Sequence, residues 1–124
     1  MLVYSIIDSP ACPVVTAEYH QRGIREEIFS STRKAISRIK QQPPDALVAE
    51  FRYGYSNNYA GVNISNLDVM LMSMQRYAPD TRVVVLVSKD ERQYVDQLNA
   101  IFPLREILVF PVTARKVADA VTSK

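Results

Sequence analysis

The sequence predicts an α/β domain of three layers, with a mainly parallel sheet and helices on both faces. Two observations predict it. From Asp45 onward, short apolar β-branched runs alternate with segments of helical period, in the order strand, helix, strand, helix, strand, helix. Strands that alternate with helices through short connections form a parallel sheet, because right-handed crossovers lay the helices on its faces. With 124 residues, 48% hydrophobic and 23% charged, one domain with an apolar core is expected.

The elements follow in order. "LVYSII" is short, apolar and β-branched, and reads as a buried strand that halts at "DSPACP". "VVTAEY", 14 to 19, reads as a second strand starting directly after Pro13. From Ile24 the period changes. Ile24, Ile28, Ala35, Ile36 and Ile39 fall on one helical face, while Arg25, Glu26, Arg33, Lys34, Arg38 and Lys40 fall mostly on the other. A helix is expected there, ended by the prolines at 43 and 44.

"ALVAEF" is nearly continuous in apolar content and reads as a strand covered on both faces. "RYGYSNNYAGVN", 52 to 63, has no period and reads as a loop, longer than the usual connection of about 4–6 residues. "SNLDVMLMSMQRYAPD" begins with Ser65 and an acid three residues later, carries Leu67, Met70, Leu71 and Met74 as an apolar stripe, and stops at Pro79. Its methionines are read as core. "RVVVLV" is a strand, and "SKDERQYVDQLNAIF" a helix with Ser88 and Glu91 at capping-box spacing and Tyr94, Val95, Leu98 and Ile101 inward. "EILVF" is a strand closed by Pro111, and "TARKVADAV" a helix with Thr113 as N-cap.

Composition excludes several functions. The net charge of +2 comes from scattered Lys and Arg with no long basic block, so no nucleic-acid partner is expected. Cys12 is the only cysteine and forms no internal disulfide, which fits a reducing compartment. No run approaches the roughly 18 apolar residues of a membrane span, and the N-terminus lacks a basic leader, so a cytoplasmic protein with no membrane partner is expected. His20 and Cys12 have no further soft ligand for zinc, and three glycines at 23, 54 and 61 make no phosphate-cradling loop.

In an open parallel sheet, ligands gather at the carboxyl ends of the strands. That rule selects Asp8, Glu50 with Arg52, Ser88 with Lys89, and Phe110-Pro111. These positions carry a resemblance. "PDALVAEFRYG" resembles the phosphoacceptor strand of response-regulator receiver domains. "APDTRVVVLVS" is similar to their next strand with its terminal Ser or Thr, and "ILVFPVTARKVADAV" to their last strand, Lys-Pro turn and final helix. The resemblance covers roughly residues 43 to 124 and implies a flavodoxin-like fold.

Carried over residue by residue, the resemblance implies a degenerate pocket. The acceptor aspartate is matched by Glu50, whose extra methylene displaces the carboxylate in a site that needs sub-ångström placement. The acid pair that holds Mg²⁺ is reduced to Asp8, so no cofactor or metal is expected. Ser88 matches the phosphate-sensing hydroxyl, and Phe110 stands where the family has its lysine. Only 16 residues separate Ile7 from Ile24, so the N-terminal third is expected to be abbreviated.

The implied function is a non-catalytic pseudo-receiver, a signalling or regulatory module acting through a protein partner independently of phosphorylation. Two alternatives stay open. "NISNLDVML" resembles the phosphorylatable helix start of STAS-type anti-sigma-factor antagonists, with Ser65 at the key position. The other is a receiver pocket that still binds Mg²⁺ and phosphate. The expected contact surface is Tyr53, Tyr55 and Tyr59, amphipathic side chains among Ser and Asn. A second, suited to a homodimer, lies near residues 89 to 110, with Phe102, Leu104 and Phe110.

Overall fold

The computed structural model describes residues 1–7, 9–53 and 65–123. The chain runs β1 (Leu2–Ile6), α1 (Thr16–Gln21), β2 (Arg25–Phe29), α2 (Thr32–Gln41), β3 (Ala46–Glu50), α3 (Asp68–Tyr77), β4 (Arg82–Val87), α4 (Arg92–Val95), β5 (Glu106–Val109) and α5 (Ala114–Thr122). A 3₁₀ segment, Asp96–Ala100, extends α4. All four strand pairings are parallel, and the sheet order is β2-β1-β3-β4-β5.

Alternation along the central strands divides the core in two. Tyr4, Leu47, Ala49, Val83 and Val85 face one way and pack with Ala35, Ile39, Met70, Leu71, Met74, Val95 and Leu98 from α2, α3, α4 and the 3₁₀ segment. Val3, Val48, Val84 and Leu86 face the other way and pack with Val15, Tyr19, Val117 and Val121 around α1 and α5. Burial on both faces explains why these strands read as continuous apolar runs. Each fully buried Leu or Val contributes roughly 1.5–3 kcal/mol. The methionines of α3 are core, with Met70 and Met74 fully buried.

The N-terminal third differs from the sequence reading in two places. Residues 14–19 form no strand, because α1 begins at Thr16. Val15 and Tyr19, four apart, both turn into the core. Gly23 closes α1: its φ is +72°, its N–H donates to His20 O at 3.1 Å, and Ile24 N–H donates to Tyr19 O at 2.8 Å. That is the Schellman arrangement, in which glycine takes the left-handed conformation at no steric cost.

The helix expected from Ile24 starts only at Thr32, and residues 25–29 are β2. Ile28, counted on the apolar helical face, is 65% exposed on this edge strand. Charged side chains disguise β2 as helix, and charge is what an exposed sheet edge carries to resist pairing with other chains. Ser31 caps α2 by accepting from Lys34 N–H. The first crossover is therefore complete, with α1 shortened to six residues.

Of the expected caps the one at Thr113 forms, whereas α3 has Leu67 at its N-cap with no side-chain cap, and Ser65 bonds just ahead of it. Thr113 accepts from Lys116 N–H at 3.1 Å at the start of α5. Ser65 N–H and Oγ both donate to Asp68 Oδ1, at 2.9 and 2.8 Å, and Ser65 Oγ accepts from Leu67 N–H. The Ser88–Glu91 pair makes no capping box: Glu91 Oε1 accepts instead from Tyr53 N–H at 3.1 Å, and α4 starts without a side-chain cap.

Candidate functional site

The carboxyl ends of β1, β3, β4 and β5 converge on Glu50, the last residue of β3. Its strand lies beside β1, where the sheet order reverses, the position at which ligand crevices form in such sheets. Glu50 is 8% exposed. The buried Cys12 thiol, from the loop after β1, donates to Glu50 Oε1 at 3.4 Å. The Arg52 guanidinium lies 3.9 Å from Oε2. Both carboxylate oxygens thus face a partner from the chain itself.

Asn66 fixes the backbone around this residue. Its amide Nδ2 donates to Glu50 O at 3.0 Å, and its Oδ1 accepts from Arg52 N–H at 2.8 Å. Asn66 N–H also donates to Arg52 O, and an antiparallel bridge joins Tyr53 to Ser65. The chain leaving β3 is thereby tied to the chain entering α3.

Two cavities flank the glutamate. One, of about 400 Å³, is lined by Ser9, Glu50, Arg52, Ser88, Glu91 and Phe110 among others. The smaller, of about 100 Å³, lies between Glu50, Arg52, Asn66 and the start of α2. Glu50, Ser88 and Phe110, selected from strand ends, therefore surround one space. Asp8 lies outside the described residues. Among the described residues no cluster of three or more His, Cys, Asp or Glu side chains is placed to hold a metal ion.

The expected contact residues divide. Tyr53 is 48% exposed and stacks on Tyr94 of α4, ring centroids 3.7 Å apart at 15°. Tyr55 and Tyr59 lie outside the described residues. Phe102 is 4% exposed and packs into the core beneath the 3₁₀ segment, so its ring offers no contact surface. Leu104 and Phe110 are half-buried. The roles of Cys12, Asn66 and Glu91 at this site escape sequence reasoning because each acts across a separation of 14 or more residues.

No family model matches the chain, and no curated protein matches it. Solved structures do. The chain is similar to a response regulator receiver domain protein from Clostridium thermocellum, at a TM-score of 0.69 and 15% identity over 97% of this chain and 90% of that one. The fold is that of receiver domains. A response regulator protein from Burkholderia multivorans gives a TM-score of 0.70 at 12% identity, covering 98% of this chain and 92% of that one. The chain is similar as well to a putative CpaE2 pilus assembly protein from Sinorhizobium meliloti, with a TM-score of 0.65 and 14% identity over 98% and 97% of the two chains. Within the receiver fold, Glu50 occupies the end of the central strand, and the peptide bond before Pro111 is cis.

Proposed function

We propose that the chain is a non-catalytic regulatory module with a receiver fold, which binds another protein and whose output does not depend on phosphorylation. The observation that carries this reading is the engagement of Glu50. A phosphoacceptor must present a free carboxylate oxygen in line with the donor, whereas Glu50 is buried between the Cys12 thiol and the Arg52 guanidinium. Phe110 adds no positive charge to the cavity in which a phosphoryl group would sit.

Ser65 gives the antagonist-type alternative no support. It is 1% exposed, and its hydroxyl donates to the Asp68 carboxylate, so a phosphate of nearly two negative charges there would be buried against an acid.

The test is an amide-resolved NMR titration with Mg²⁺ and beryllofluoride, an acyl-phosphate mimic, on the native chain and on Glu50→Asp. No saturable shift at Glu50, Arg52 or Ser88 in the native chain is the expected result. A saturable response there would restore the phosphate-binding reading.

A further inference from the structure

We propose that the outer face of α2 and α3 docks an acidic, amphipathic helical segment of a protein partner. This inference deepens the regulatory-module reading and rests on it.

Charge on this face has one sign. α2 contains Arg33, Lys34, Arg38 and Lys40 and no acid, and Arg33, Lys34 and Lys40 are exposed. The one acid of α3, Asp68, is 1% exposed and is held by Ser65, while Arg76 is exposed near the other end of the helix. Arg38 pairs with Glu27. Among the described residues, Arg33, Lys34, Lys40 and Arg76 make no ion pair. Cations elsewhere do find acids: Arg22 of the α1 C-terminus meets Asp119 of α5, and Arg92 meets Asp96.

The position of two cations runs against helix preference. Arg33 and Lys34 stand in the first turn of α2, where the macrodipole favours acids and none is present. An external anionic partner gives those charges the complement that the fold withholds.

An apolar stripe selects the kind of partner. Val69 is 55% exposed and Met72, one turn on, 51% exposed. With Arg76 they form one line along α3, at i, i+3 and i+7. Lys40 of α2 and Arg76 of α3 both lie over the Tyr77 ring, 5.2 and 5.4 Å from its centroid, so the two helices present their cations side by side. An adaptable methionine and a valine bordered by cations match a helix with an apolar face and acidic flanks. A phosphate backbone would leave that stripe covered by charge.

The experiment uses the full chain and a synthetic helical peptide with leucines on one face and glutamates elsewhere, followed by amide NMR shifts. Saturable shifts centred on Lys34, Val69, Met72 and Arg76 are expected. Arg33→Glu with Lys34→Glu should weaken binding about tenfold or more, and Met72→Glu should do likewise. The control pair Arg115→Glu with Lys116→Glu on α5 should not. Shifts centred elsewhere, equal loss in the control, or displacement of the peptide by duplex DNA or phosphatidylserine vesicles at lower concentration would overturn the proposal. Failure here with a silent beryllofluoride titration removes only this surface, whereas a beryllofluoride response removes the regulatory-module reading beneath it.

Discussion

The Cys12 thiol donates its hydrogen to Glu50 Oε1 across 3.4 Å, joining the loop after β1 to the end of β3. Removing the thiol leaves a buried carboxylate oxygen short of a donor, which costs about 1–3 kcal/mol. Cys12→Ala should lower the urea midpoint accordingly, and Cys12→Ser, which keeps a donor, should recover part of the loss. An unchanged midpoint in Cys12→Ala would show that the contact contributes nothing to stability.

Gly23 provides a cleaner backbone test. A Cβ there would meet nothing within 4 Å, so the penalty in Gly23→Ala comes from its φ of +72° alone. About 1–2 kcal/mol of destabilisation is expected, and less for Gly23→Asn. Chemical denaturation of the two variants side by side measures the difference.

Asp68 satisfies the buried Ser65 twice over, at its N–H and its hydroxyl. Asp68→Ala orphans both donors and should cost about 2 kcal/mol or more. Amide exchange would report it as accelerated opening at the start of α3.

Glu27 links the β2 edge to α2. The Arg38 hydrogen bond, with help from Arg25, holds its carboxyl below the ordinary value of 4.5. A carboxylate depressed in the folded state adds stability that is present above its unfolded value and is lost as pH falls through the folded one. The chain should therefore lose stability in acid below about pH 4.5, and Glu27→Gln should flatten that part of the profile. Urea midpoints at neutral pH and at pH near 3 for both proteins check the sign. Because Glu27 is 27% exposed, solvent screening keeps the effect small.

The central sheet was legible because β1, β3 and β4 are buried on both faces, which leaves an apolar run with no other reading. β2 was not, since an edge strand carries charge for reasons of its own, and Arg25, Glu26 and Glu27 imitate a helix surface. The turn at Gly23 and the Ser31 cap were the local signals that would have separated α1, β2 and α2. At the site, strand ends pointed to Glu50, Ser88 and Phe110, which line one cavity. Cys12 reads as a lone thiol, because no spacing rule reveals that a residue 38 positions away is its acceptor.

The Asn66 amide acts as a borrowed peptide unit, pairing with the backbone of Glu50 and Arg52 as a neighbouring strand would. Tyr53 and Ser65, at the two ends of the connection, are joined in turn by their own antiparallel bridge. Doubling the length of such a connection costs only about 0.6 kcal/mol in closure entropy. The fold therefore contains a point where new sequence can be grafted in or exchanged while the sheet and its buried glutamate stay unchanged.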